Sequence, residues 1–260
     1  MSAAKSFQIT QTTPFINHIK QQRPLVHCIT NDVVQNFTAN ILLAIGASPA
    51  MGIAEQEVAE FVNITDSLLI NIGTIHSNTA QSMLLAAAKA QQTQTPWVLD
   101  PVAVGAALNY RTEIAHQLLS FNPTVTRGNA SEILALNGQK SFSKGPDGQD
   151  TTQSALNAAQ ELAQKYQTIV AMTGDVDYIT NGNSTYSITG GDIALTKVTG
   201  TGCSLSAMVA AFIANSPDPL SASACACFMM KKAGELANKQ GLGTFSISLL
   251  DQLSTFNSSL

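Results

Sequence analysis

Charge is scarce in this sequence. Only 12% of the 260 residues are Asp, Glu, Lys or Arg, and the formal net charge is -4. The basic residues form no block, which argues against a nucleic-acid or anionic-membrane surface. Cysteine is sparse as well. Cys28, Cys203, Cys225 and Cys227 form no CxxC pair, and the nearest two stand one residue apart, a poor spacing for a metal or a disulfide. A reduced, cytoplasmic setting is the expectation, in which a sequon such as Asn36-Phe37-Thr38 carries no glycan. The N-terminus, Met1 to Phe7, lacks the apolar core of a signal peptide. The most apolar window, Ile41 to Ala54, is short and broken by Gly46 and Pro49, so it cannot cross a bilayer as a helix.

Several catalytic signatures are missing too. No GxxxxGKS/T exists, which excludes a P-loop. After Gly200-Thr201-Gly202 the sixth position of a GxGxxG is Leu205, which argues against a Rossmann dinucleotide site. His18, His27, His76 and His116 are scattered with no HExxH, and no GxSxG elbow occurs.

What is present is apolar and alternating. Hydrophobic residues make up 45% of the chain, enough for a substantial core; with so little charge, this fits a surface partly covered by partner subunits. Buried-type strands are expected at Pro24 to Thr30, Ser67 to Gly73, Pro96 to Pro101, Thr124 to Arg127 and Thr168 to Gly174, with a short extended piece at Ala47 to Gly52. Helices are expected at Pro14 to Gln22, after an Asn31-Asp32 cap, at Glu55 to Asn63, Asn78 to Gln92, Arg111 to Phe121, Asn129 to Leu136 and Thr152 to Tyr166. Asn137 to Asp150 reads as an exposed loop. Asp177 to Ile188 reads as a hairpin around Asn181-Gly182-Asn183. Helices Ser204 to Ala214, Leu220 to Gln240 and Ser246 to Phe256 complete the chain. The alternation predicts an α/β fold whose largely parallel sheet is covered on both faces. No domain boundary is legible, so a single domain over residues 1–260 is expected.

In such folds ligands sit at the carboxyl ends of strands. Asp100, Arg127, Thr173-Gly174 and the turn from Gly200 to Cys203 all read as lying just after strands, which makes them candidates to share one crevice. The stretch Lys197-Val198-Thr199-Gly200-Thr201-Gly202-Cys203 reads as turn and helix start. Its glycines and helix dipole suit an anion, and the same field favours a Cys203 thiolate. A capped, buried helix with a small core cysteine reads equally well. Asp100 could organise Mg²⁺ through water or merely cap the loop before Pro101. Glu132 could do likewise or only offset the dipole of its helix. Arg127 suits a phosphate or a surface ion pair. Met51 reads as core filler and Thr173 as a strand-end hydroxyl.

Longer motifs carry a resemblance. Asn129-Ala130-Ser131-Glu132 is similar to the Asn-x-x-Glu motif of ribokinase-like kinases. Gly200-Thr201-Gly202-Cys203 is similar to their Gly-x-Gly-Asp anion hole and base, with Cys for Asp. That replacement, together with Pro24 to Asn40, Gly46 to Met51 and Leu99 to Ala106, resembles the hydroxyethylthiazole kinase family over nearly the whole chain. The resemblance implies a ribokinase-like three-layer sandwich without a lid. It implies ATP- and Mg²⁺-dependent phosphorylation of 4-methyl-5-(2-hydroxyethyl)thiazole, a step toward thiamine, by a homotrimer with active sites at subunit interfaces. Met51, Gly200, Asn31 and Val33 would contact the thiazole, Arg127 and Thr173 the ATP, and Asp100 and Glu132 the metal. Gly200 and Gly202 would cradle the moving phosphoryl group beside Cys203 at the substrate hydroxyl. Two other functions remain in view: a kinase of the same fold for a hydroxymethylpyrimidine or a sugar, and a non-enzymatic nucleotide-binding regulator. Cys203 argues against the first, and the joint retention of Asp100, Glu132 and Cys203 against the second.

Overall fold

A computed structural model describes residues 4–105, 107–139 and 149–257. Nine strands form one sheet in the order β1-β9-β8-β7-β6-β5-β4-β2-β3. Its central part is parallel: β3 (Ser48–Ala50), β2 (Leu25–Ile29), β4 (Ser67–Asn71), β5 (Trp97–Asp100), β6 (Val125–Asn129) and β7 (Ile169–Thr173). The hairpin of β8 (Asp177–Thr180) and β9 (Thr185–Ile188) then extends the sheet antiparallel from β7. Asn181 supports its turn by accepting the Ser184 N–H at 2.8 Å, while Gly182 takes a φ of +87° that a side chain would disfavour.

Alternation along the strands divides the core in two. Val26, Cys28, Leu69, Val98, Val125 and Ala171 face one layer. That layer holds α1 (Thr13–Gln22), α2 (Gln35–Ala44), α8 (Thr201–Ile213), α9 (Pro219–Leu236) and α10 (Leu242–Ser254). Ile29, Leu68, Ile70, Trp97, Leu99 and Val170 face the other. There lie α3 (Val58–Val62), α4 (Ser77–Thr93), α5 (Asn109–Leu119), α6 (Ala130–Leu136) and α7 (Gln149–Tyr166). Helix α8 is buried on every side from Ser204 to Ile213, as an all-apolar helix must be. It lies against β2, β4 and β5 and between α2 and α9.

The expected alternation holds, with corrections at element ends. Asn31 and Asp32 do not cap α2. The cap position is Val34, and the Asn31 amide is engaged instead with Asn71 and Cys203. Helix α3 is shorter than expected because residues 55–57 form a turn. Helix α8 starts at Thr201, three residues early, since Gly200 at φ +98° supplies the left-handed cap. Cys203 therefore lies inside the first helical turn. Helix α9 stops at Leu236, where Ala237 becomes extended, and α10 begins at Leu242. A two-residue edge strand, β1 (Lys5–Ser6), pairs parallel with β9; too short for any periodicity, it left no mark in the sequence. Of the loop expected at Asn137 to Asp150, residues 140–148 lie outside the described residues and Gln149 onward belongs to α7.

Candidate active site

The parallel strands end along one edge of the sheet, and five of the six place a side chain there. Asp100 ends β5 with its carboxylate wholly buried. Its Oδ2 accepts from Asn71 Nδ2 at 2.9 Å and from Ser206 Oγ of α8 at 2.6 Å. Arg127 Nη1 lies 3.9 Å from the same oxygen. On β4, Asn71 Oδ1 accepts from Asn31 Nδ2 at 3.0 Å and from the Gly73 N–H at 3.0 Å. Asn31 Nδ2, after β2, also reaches Cys203 Sγ at 3.4 Å. On the other side Arg127 Nη2 donates to Thr173 Oγ1 of β7 at 2.6 Å. Cys203, Asn31, Asn71, Asp100, Arg127 and Thr173 thus form one connected row across five neighbouring strands and the start of α8.

The electrostatics of the row are unbalanced. Burial pushes the Asp100 carboxyl up to about 7; Arg127 opposes the shift and Glu132 adds to it. Asp100 Oδ1 is buried and has no hydrogen-bond partner. Such an orphan calls for an explanation, and a bound cation supplies one. Burial and the Asp100 charge also push the Cys203 thiol up. Together these two effects favour the neutral thiol over the thiolate expected from the helix field.

Positive potential gathers opposite the carboxylate. The N–H groups of Thr201, Gly202 and Cys203 open α8 and have no acceptor within the helix. The Thr201 hydroxyl anchors this end by donating to the Leu195 and Val198 carbonyls. Arg127 lies directly over it: a Cβ on Gly202 would sit 3.1 Å from Arg127 Nη1. A guanidinium beside a positive helix end is unfavourable unless an anion joins them. Gly200 is fixed by its left-handed φ, and a Cβ there would press Val34 and Phe37 at 3.1 Å.

Glu132 sits behind the row. It completes a capping box with Asn129: Asn129 Oδ1 accepts the Glu132 N–H at 2.9 Å, and Glu132 Oε2 accepts the Asn129 N–H at 2.8 Å. Its Oε1 also accepts the Ala103 N–H at 2.9 Å, so it ties the loop after β5 to α6. Met51 follows edge strand β3, packed against the α8 side of the core. Its neighbour Gly52 accepts from His27 Nε2 at 2.8 Å. Val33 lies in the turn after β2 and is 66% exposed.

The fold and this sequence have recognisable relatives. The family described as Hydroxyethylthiazole kinase family (HK) matches residues 16–259. A hydroxyethylthiazole kinase of Leptospira interrogans is 52% identical, over 92% of this chain and 90% of its own. One from Yersinia enterocolitica is 54% identical over 88% and 89%. The solved hydroxyethylthiazole kinase of Pyrococcus horikoshii superposes with a TM-score of 0.86 at 37% identity, covering 95% and 94% of the two chains. The chain belongs to the hydroxyethylthiazole kinase family. It is a phosphotransferase-family protein on a ribokinase-like fold. A ribokinase-like protein of Enterococcus faecalis, with a TM-score of 0.65 and 16% identity over 98% of this chain and 90% of that one, shares the fold alone.

Within this member of the family, two members of the row escaped the sequence reading. Asn71 is the lone amide in an apolar strand, an isolation that could have marked it; Ser206 shares α8 with Thr201 and Ser204, so nothing in the sequence singled it out. Two surface clefts, of about 340 Å³ beside Gln164 and Asn183 and about 150 Å³ between α1 and α10, lie away from the row. The chemistry follows the side chains, and neither cleft touches Asp100 or Cys203.

Two outcomes are expected. A Cβ on Gly73 would lie 2.8–2.9 Å from Asn31 side-chain atoms, and Asn31 is held by Asn71 and Cys203. Gly73→Ala should destabilise the protein by about 1–3 kcal/mol in denaturant unfolding and lower turnover; unchanged values for both would show that Asn31 moves freely. For Asp100, the unfolded chain releases its proton around pH 3.8, whereas the folded protein holds it until about pH 7. Stability from this group is full below the lower value and lost as pH rises through the upper one. In EDTA, the melting temperature of Asp100→Asn should therefore climb relative to wild type between those values and level off above them. A difference independent of pH would mean that Asp100 is ionised throughout.

Proposed function

We propose that this protein transfers the γ-phosphoryl group of ATP to the hydroxyl of 4-methyl-5-(2-hydroxyethyl)thiazole, with Mg²⁺, in thiamine synthesis or salvage. One observation carries the reading: Arg127 and the N-terminus of α8 converge beside a buried carboxylate with a spare oxygen. That is a place for a polyphosphate and its metal.

In this reading Arg127 and Thr173 bind the ATP phosphates, and the N–H groups from Thr201 to Cys203 receive the transferring oxygens. Gly200 and Gly202 keep the approach open, since a Cβ at either would press its neighbours. The metal fits the donor set. Asp100 Oδ1 is free to face it, while both Glu132 oxygens already accept N–H bonds and reach it through water. Among the described residues no three His, Cys, Asp or Glu side chains form a cage, and Mg²⁺ needs none, because it keeps waters and takes phosphate oxygens. When bound, it offsets negative charge on the triphosphate. Met51, Asn31 and Val33 line the thiazole side together with Gly200.

The transition state of such a transfer is loose, so positioning outweighs base strength. Cys203, a thiol held by Asn31, orients the substrate hydroxyl by accepting from it at Sγ. The hydroxyl proton leaves late, as the new O–P bond forms and the γ-phosphoryl parts from ADP, and it passes to a phosphoryl oxygen or to water rather than staying on the thiol.

The site belongs to one kinase domain spanning residues 1–260, acting as a cytoplasmic homotrimer with sites at subunit interfaces. Val33 at 66% and Ile53 at 40% exposure leave apolar surface beside the thiazole residues, which a neighbouring subunit would cover. The free cysteines suit a reducing compartment, and no described helix is long and apolar enough to cross a membrane.

Turnover of ATP with a panel of thiazole, pyrimidine and sugar alcohols, with and without Mg²⁺, tests the assignment. Phosphorylation of the thiazole alone is expected, and phosphorylation of a sugar but not the thiazole would sink it. Arg127→Gln should raise KM for ATP roughly ten- to hundredfold with little change in KM for the thiazole. Cys203→Ala should lower kcat by roughly tenfold or more while sparing thiazole affinity, and Cys203→Asp should keep activity. An unchanged rate in the alanine variant would remove Cys203 from the reaction.

A further inference from the structure

Helix α9 is apolar apart from a few positions, yet it buries a lysine. Lys231 Nζ donates to the carbonyls of Gly174 at 2.9 Å, Asp175 at 3.0 Å and Gly190 at 3.1 Å. Asp177 Oδ1 lies 3.4 Å away and itself accepts the Gly174 N–H at 3.0 Å. An ammonium has three protons, and all three are used. The lysine side chain is 9% exposed and that of Asp177 is 3%, so water cannot replace these contacts.

The segments joined are far apart in sequence. Gly174 and Asp175 form the turn directly after Thr173, the hydroxyl that holds Arg127. Gly190 begins the stretch from β9 toward α8. There Gly190 and Gly191 take φ values of +95° and +93°, and Gly191 N–H donates to Glu235 of the same helix α9 at 3.0 Å. Three carbonyl oxygens and a carboxylate pointed at one spot repel one another unless a cation lies between them. Remove that cation and the turn after β7 loses its hold on the segment leading to the helix N-terminus.

We propose that Lys231 is a positioning residue for ATP: a built-in monovalent cation that gathers the Gly174, Asp175 and Gly190 carbonyls and so fixes the wall behind Thr173 and Arg127. It does not touch the reacting atoms. The proposal rests on the placement of ATP over Arg127 and Thr173, and it adds a residue outside that set.

The test is steady-state kinetics on the intact protein, with ATP and thiazole varied separately. Lys231→Ala should raise KM for ATP at least about tenfold while leaving KM for the thiazole within about twofold. Added ammonium or methylammonium should fill the vacated place and lower that KM again. Tetramethylammonium, too large and without N–H donors, should not. Neither amine should lower KM for ATP in the wild type. Asp177→Asn, which keeps the ammonium and removes its counter-charge, should give a smaller rise in KM for ATP and no amine rescue. A folded Lys231→Ala variant with lower melting temperature, unchanged KM for ATP and no amine response would overturn the proposal and leave Lys231 a packing residue. Should Lys231→Ala fail to fold, Asp177→Asn decides: a raised KM for ATP supports the proposal and an unchanged one overturns it. Thr173→Ala and Arg127→Gln run alongside separate the two ideas. If they raise KM for ATP and Lys231→Ala does not, only the lysine proposal falls. If they leave it unchanged, the ATP placement falls, and the lysine proposal with it.

Discussion

The buried carboxylate of Asp100 is the constraint around which the rest of the site is arranged. An isolated ionised carboxylate in a protein interior is costly, and this one is wholly buried at the end of a central strand. Its Oδ2 is satisfied by Asn71 and Ser206 and faced by Arg127. Those partners come from a neighbouring strand on each side and from the helix packed over the sheet. Asp100 is thus supported by β4, β6 and α8 together, and the packing of α8 is part of the electrostatics. A strand-end carboxylate with one satisfied oxygen and one orphan is poised for a cation and uncomfortable without one.

The second half of the frame has the opposite sign. Helix α8 presents its first N–H groups beside the Arg127 guanidinium, and Gly202 leaves the room they need. Two positive features held together cost free energy until an anion arrives. In the proposed reading, a metal on the Asp100 side and phosphate oxygens on the α8 side would resolve both imbalances at once. Apart from the Arg127–Asp100 ion pair, the protein holds this arrangement with neutral amides and hydroxyls. That choice fits a chain with so few charged residues.

Much of this was legible in the sequence, and particular residues show where legibility stops. The strand-helix alternation located the carboxyl ends of β5, β6 and β7, and with them Asp100, Arg127 and Thr173. The Gly200-Thr201-Gly202 turn before a small apolar run located the start of α8, displaced by three residues because the cap is the left-handed backbone of Gly200 rather than a side chain. Asn31 was read as a helix cap, the local use of its amide. Its actual partners, Asn71 and Cys203, are 40 and 172 residues away. No periodicity encodes strand register, so the β2-β4-β5 neighbourhood that joins Asn31 to Asp100 was invisible. Lys231 was hidden for the same reason: beside Lys232 it reads as solvent-facing charge, and only the return of the chain after β7 and β9 surrounds it with carbonyls.

The protonation of Cys203 carries the argument one step further. A thiolate beside Asp100 and a triphosphate would add a third negative charge to the place where charge must be dispersed. Burial and the Asp100 carboxylate both keep the thiol neutral, so the field of the helix N-terminus remains available to the phosphoryl oxygens. In the proposed transfer a loose transition state would tolerate this, since the hydroxyl would attack an already electrophilic phosphorus and shed its proton late to a phosphoryl oxygen or water. Held by Asn31, the thiol would serve as a hydrogen-bond acceptor for the hydroxyl, a task a carboxylate at the same place could also perform while the bound metal and the helix N-terminus offset its charge. The weak base and the strong anion hole are two consequences of one electrostatic arrangement.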